Sequence, residues 1–162
     1  MTTSTPNISR TAPRQTIQIN INNGLVLEGP IGATVADYLT AAAAHNTGWE
    51  TDLLMAGILD GRLRELAYPI QRDSTLAPIW RTDSDGSRIY RRSLVMLLAT
   101  AIDELWPGTR VSVRYSLPEG GFYCKLLNRD PFGTEELSAL EEYMRATCAE
   151  DAPITKRSVT LE

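Results

Sequence analysis

From Thr16 to Ile21 the chain alternates, so that Ile17, Ile19 and Ile21 fall on one face of a strand. Asn22, Asn23 and Gly24 supply the residues of a tight hairpin turn, and Leu25, Val26 and Leu27 return as a second strand. Gly29, Pro30 and Gly32 then break the pattern. Thr34 is placed to cap a helix whose apolar positions Val35, Tyr38, Leu39 and Ala42 recur at helical spacing as far as Ala44. Asn46 to Glu50 reads as loop, Leu53 to Leu59 as a buried strand, Asp60 and Gly61 as a second hairpin turn, and Arg62 to Leu66 as its returning strand. After a polar turn at Gln71 to Thr75, Leu76 to Trp80 is a last strand of this half.

Strand, strand, helix, strand, strand, strand within about 65 residues is the β-grasp order, a single helix laid across a mixed sheet. The composition of Thr82 to Ser87, with Asp83, Asp85 and Gly86, marks a linker. Beyond it, Leu94, Leu97, Leu98, Ala101, Ile102 and Leu105 share one helix face, and Pro107 and Gly108 end that helix. Arg110 to Tyr115, a turn at Pro118 to Gly121 and Phe122 to Leu126 predict a hairpin. A second helix starts at Thr134, whose hydroxyl serves a free backbone N–H while Glu135 and Glu136 suit the positive end of the dipole. Its inward face is Leu137, Leu140, Met144 and Cys148, and Ile154 to Leu161, with Lys156 and Arg157, predicts a final strand. The expected class is therefore α+β: a tail at 1–14, a β-grasp domain at 15–81, and a small α/β domain at 88–162 built from helix, hairpin, helix and strand.

The length of 162 residues admits one medium domain or two small ones and buries roughly 70% of the unfolded surface. With 43% hydrophobic and 22% charged residues the chain is globular, and no apolar run reaches the roughly 20 residues of a membrane span. Sixteen basic against twenty acidic residues leave −4, which excludes wholesale coating of nucleic acid and restricts any such contact to patches. Lys125 and Lys156 are the only lysines. The arginine bias is compatible with planar-anion recognition, although GC-rich codon usage is the simpler reading. Two cysteines, Cys124 and Cys148, are too few for a disulfide scaffold or a four-cysteine zinc site, so a reducing cytoplasm is the expectation. The first fourteen residues lack the apolar core of a secretory signal and read as a disordered tail.

The run IYRRSLVMLLATAIDELWP (Ile89 to Pro107), followed by GGFYC at Gly120 to Cys124 and the acidic helix start, resembles the N-terminal region of threonyl-tRNA synthetases. In that family a β-grasp module, the TGS domain, precedes a domain that hydrolyses mischarged tRNA; the segment LDGRLRELAYPIQRDSTLAPI (Leu59 to Ile79) resembles the TGS part. The same pair of domains also resembles the N-terminal extension of bacterial uridine-kinase-like proteins, to which YRRSL (Tyr90 to Leu94) and YSL with GFYC (Tyr115 to Cys124) are more similar. The resemblance implies a kinase domain following this chain, with ATP and Mg expected there only; no Walker A pattern occurs within these residues, and ending on a strand suggests a piece of a longer protein.

The editing domain of the synthetases carries a His-x-x-x-His pair on the first helix. At those positions stand Arg92 and Met96, a permanently protonated guanidinium and a thioether with no proton to exchange. The resemblance therefore implies an editing-like domain without editing chemistry, with no catalytic residue and no metal ligand assigned. If the hairpin packs beside the helix start as in that family, Arg91, Arg92, Arg114, Tyr115, Ser116, Tyr123 and Lys125 form a basic, aromatic-walled pocket for a nucleotide or an RNA end. The simpler reading of these residues is exposed arginines beside a buried helix and tyrosines filling the sheet.

His45 reads as a helix-end residue; Cys124 reads as a small buried apolar residue, with Lys125 near enough to lower a thiol pKa. Glu135, Glu136, Glu141 and Glu142 form a solvated helix face, and Trp49, Trp80 and Trp106 pack near domain edges. Three functions follow. The leading one is a non-catalytic regulatory or ligand-binding region that holds a nucleotide or RNA, or docks against a following kinase domain. The alternatives are an aminoacyl-tRNA deacylase module and a structural interaction module, the last requiring an apolar patch of several hundred Å² on the β-grasp sheet.

Overall fold

The computed structural model of the chain describes residues 11–22, 24–116, 121–151, 154 and 159–160. It divides into two compact units, Met1–Tyr90 and Arg91–Glu162. The class is α+β: a β-grasp sheet with one helix across it, followed by a small α/β unit.

In the first unit β1 (Thr16–Ile21), β2 (Val26–Pro30), β3 (Leu54–Leu59), β4 (Arg62–Arg64) and β5 (Ser74–Trp80) form one sheet in the order β2-β1-β5-β3-β4. β1 and β5 run parallel and the other neighbours antiparallel. The isoleucine alternation does what its period demands: Ile17, Ile19 and Ile21 are 3%, 0% and 0% exposed. They meet Val35, Tyr38, Leu39 and Ala42 of α1 (Val35–Ala43), so the apolar stripe of the helix and one face of the sheet make a single core. Thr34 starts α1 by a capping box, in which its hydroxyl accepts the Asp37 N–H while the Asp37 carboxylate accepts the Thr34 N–H at 2.8 Å. At the Asp60–Gly61 turn both residues have positive φ (48° and 76°), the conformation in which a two-residue turn matches the twist of its strands.

Several element bounds differ from the sequence expectation. β2 continues through Gly29 and Pro30, because it is an edge strand and proline at the last paired position, opposite Thr16, sacrifices no interior ladder bond. β4 stops at Arg64, a short 3₁₀ turn (Thr51–Leu53) precedes β3, and β5 begins two residues early at Ser74. The expected tail is partly tied down, since the Arg14 guanidinium donates to both Asp73 oxygens at 2.6 and 3.2 Å.

The expected linker is the first turn of a helix, α2 (Ser84–Leu105). The Asp83 carboxylate accepts the Trp80 N–H at 2.7 Å and the Asp83 carbonyl accepts the Ser87 N–H at 2.8 Å, so the chain turns straight from β5 into the helix. Gly86 permits this, because a Cβ there would lie 1.8 Å from the Trp80 carbonyl oxygen.

The second unit contains the rest of α2, a hairpin of β6 (Val111–Ser116) and β7 (Phe122–Leu126), and α3 (Thr134–Ala149). Among its described residues the buried ones are Ala101, Ile102 and Leu140. Leu94 (38%), Leu137 (52%) and Cys148 are exposed, contrary to the expected inward faces: among the described residues, two helices and a two-stranded hairpin present too little surface to cover every apolar position. Residues 152–153, 155–158 and 161–162, and with them most of the expected strand Ile154 to Leu161, lie outside the described residues, as does the turn at 117–120.

Two substitutions test the first unit. Gly86→Ala drives a methyl into backbone that cannot move aside and should destabilise it by about 1–3 kcal/mol in urea unfolding. Tyr38→Phe removes a hydroxyl that is buried without a hydrogen-bond partner among the described residues, and should leave stability unchanged or raise it by up to about 1 kcal/mol. Backbone N–H donors from Thr34, Thr75 and Gln18 hold the carboxyls of Asp37, Asp60 and Asp73 below the usual range, with Arg14 adding to the effect at Asp73. A depressed carboxyl binds its proton more readily in the unfolded chain. The contribution of these carboxyls to the melting temperature should therefore be level above about pH 5 and fall as the pH drops through the unfolded and then the depressed values, less steeply in Asp73→Asn.

Candidate functional site

The second unit owes its shape to loops pinned by side chains. After α2, the Trp106 backbone N–H donates to the Ile102 carbonyl and Gly108 turns the chain with φ +83°. Asn128 then clamps the base of the hairpin: its amide donates to the Gly108 carbonyl and its carbonyl oxygen accepts the Arg110 N–H, each at 2.8 Å. Further on, Glu136 performs the capping that the sequence assigns to Thr134. Its carboxylate accepts the Gly133 N–H at 2.9 Å and pairs closely with the Arg129 guanidinium, so Gly133 is the capping position and Thr134 the first helical residue. The Gly133 N–H first, and Arg129 after it, hold the Glu136 carboxyl below the usual carboxylate range.

This arrangement surrounds an open hollow of about 500 Å³. Leu98, Ile102, Val111 and Leu140 contribute apolar surface. Phe132 forms one wall, stacked at a tilt on Trp106 with 4.5 Å between ring centroids, and the Arg129 guanidinium lies 4.7 Å from the Phe132 ring. A further part of the rim is β7, from Tyr123 through Cys124 and Lys125 to Leu126. The hollow is therefore apolar inside with cations at its edge, a composition suited to a ligand with an apolar or aromatic body and an anionic group.

Of the residues expected to form a basic pocket, Tyr123 (45% exposed) and Lys125 line the hollow. Tyr115 and Ser116 are the register partners of Tyr123 and Phe122, and their side chains lie outside the described residues. Arg114 is exposed on β6. Arg91 and Arg92 lie in α2 and are not among the residues lining the hollow; Arg91 falls two helical turns before Leu98 on the same face, whereas Arg92 and Met96 (48%) are exposed. Sequence reasoning misses Arg129 and Phe132, for which the available signal is the aromatic-flanked cation in RDPFG, seven residues before Glu136. Cys124 is exposed and not the buried residue expected, and desolvation by partial burial pushes its thiol pKa up rather than down. Among the described residues no group of three or more His, Cys, Asp or Glu is placed to hold a metal, and no helix is long and apolar enough to cross a membrane.

A β-grasp unit followed by a helix, hairpin and helix around an apolar hollow is the class this structure defines. The chain is similar to threonine–tRNA ligases. That of Polaromonas sp. is 35% identical over 87% of this chain, that of Erythrobacter litoralis 34% over 86%, and that of Rhodopseudomonas palustris 33% over 86%. The chain spans about a fifth of the length of the curated relatives it matches, 21%, 21% and 20% respectively. No family model matches. Among solved structures, a chain from the crystal structure of ATBAG1 in complex with HSP70 aligns over 57% of this chain and 56% of its own at 12% identity, with a TM-score of 0.37.

The start of α3 is open to measurement. Glu136→Gln should lower stability of the second unit by about 1 kcal/mol in urea unfolding, since it weakens both the cap and the pairing with Arg129.

Proposed function

We propose that this chain is a synthetase-related binding module that holds a nucleotide or an RNA end without cleaving it. The carrying observation is the juxtaposition of Tyr123 and Lys125 on the rim of the apolar hollow in a chain whose only histidine, His45, belongs to the other unit. A ring offers a stacking surface to a base, and an ammonium offers charge to phosphate. Arg114 on the adjacent strand adds a cation to the same hairpin, and Arg91 and Arg92 extend the basic character along α2.

The relatives support a tRNA-synthetase-related role, and with it the deacylase alternative, more than they support a following uridine kinase. Against deacylation by this chain alone stands its side-chain chemistry. Hydrolysis of an ester requires a group that accepts a proton near neutrality, and at the two helix positions of the resembling family stand a guanidinium and a thioether. Docking to a kinase domain, with ATP and Mg bound there, belongs to the kinase-parent reading. The interaction-module reading has weaker support: on the β-grasp sheet Val26 and Leu63 are the exposed large apolar side chains, and they sit on opposite edge strands rather than in one patch.

Titration of the isotope-labelled chain with uncharged tRNA should shift Tyr123 and Lys125 resonances. Tyr123→Ala should weaken binding by about 1–3 kcal/mol if a base stacks there. Lys125→Ala should lower the slope of log affinity against log salt by about 0.7 for each phosphate that the ammonium neutralises. Seryl-tRNA should survive incubation with the chain; its hydrolysis, abolished by Arg92→Ala, would establish the deacylase instead.

A further inference from the structure

The first unit carries a second, chemically opposite hollow. It has a volume of about 300 Å³ and is lined by Gly48, Trp49, Glu50, Leu53, Trp80 and Thr82. Its two indoles stand nearly perpendicular, at 83° with centroids 5.2 Å apart, and both are half-buried against the β-grasp core. They are held rather than draped. The Asn46 side-chain amide donates to the Ala42 carbonyl at the end of α1, and the Trp49 backbone N–H donates back to the Asn46 carbonyl, so the loop carrying Trp49 is tied to the helix. Trp80 is paired with Leu54 in the sheet, its backbone N–H donates to Asp83, and the following Arg81 N–H donates to the Leu53 carbonyl.

The one charged lining residue is Glu50, and among the described residues its carboxylate has no ion-pair partner. No described arginine or lysine lines the hollow, and the guanidinium of the adjacent Arg81 is turned to the Tyr90 ring, 5.7 Å from its centroid. An anion would meet an uncompensated carboxylate here. A cation would meet indole π surface and a negative charge, since both edge-to-face tryptophans line the hollow beside Glu50.

We infer that the Trp49–Trp80 hollow is a binding site for an organic cation of the alkylammonium or guanidinium class, either free or at the end of a basic side chain. A volume of about 300 Å³ is enough for one such head group and part of the chain that carries it. This site lies in a different unit from the hollow bordered by Tyr123 and Lys125, and it uses the opposite charge.

The test follows the indole N–H resonances of the full chain at constant ionic strength, with Trp106 as internal reference. Choline probes the free cation, Nα-acetyl-arginine methylamide the side chain, and the uncharged isostere of choline, in which tert-butyl replaces trimethylammonium, controls for apolar contact. The expected result is a saturable shift of Trp49 and Trp80, but not of Trp106, by at least one of the two cations in the millimolar range. The tighter of the two identifies the source of the head group. The isostere should give no saturable shift, and Glu50→Lys should abolish binding while the remaining spectrum keeps its dispersion, because Glu50 is exposed and its carboxylate joins no ion pair among the described residues. Equal response to the isostere, persistence of the shifts in Glu50→Lys, or no shift with either cation at tens of millimolar would each overturn the inference.

Discussion

A single carboxylate organises the second unit. Glu136 receives the Gly133 N–H and the Arg129 guanidinium, and by doing both it fixes where α3 begins and where the strand-to-helix loop carries Phe132. Phe132 then stacks on Trp106 at the end of α2, so both helices are tied to the same aromatic pair. The hollow beside β7 is what remains once those positions are set. Its cationic edge has two parts with different duties: Arg129 is engaged by Glu136 and by the Phe132 ring, whereas Lys125 lies outside those contacts and is the better placed of the two to meet an incoming anion.

The two units reach order by different means. The β-grasp half has eleven residues in one buried cluster, with β1 and α1 contributing most of them. The second unit has three among its described residues. Burial of a large aliphatic side chain stabilises by about 1.5–3 kcal/mol, so the hydrophobic contribution is concentrated in the first half. In the second half, side-chain hydrogen bonds at loop ends, from Asn128 and Glu136, carry a larger share of the specification.

That difference also sets what can be read from the residues alone. Strict alternation in Ile17, Ile19 and Ile21, the Asp60–Gly61 turn and the Thr34 cap each follow from local rules, and each stands where expected. The start of α2 is hidden because Gly86 resembles a linker residue in composition; its reason is a carbonyl six residues earlier in the chain, which only the folded backbone brings near. Helical spacing groups Leu94 with one inward face, and Leu137 and Cys148 with another, but spacing reports a face and not whether anything covers it. In the candidate site, Tyr123 and Lys125 are legible as a basic, aromatic strand, whereas Arg129 and Phe132 are not, since their roles depend on Glu136 and Trp106 across the loop.

The borders of the β-grasp sheet have a consequence for how the molecule behaves among its own kind. One margin, β2, closes on a proline, and the other, β4, is three residues long with arginines at both ends. Neither offers a neighbouring polypeptide a long, neutral ladder of free amides on which to add a strand, so the sheet is guarded against the edge-to-edge pairing that seeds aggregates.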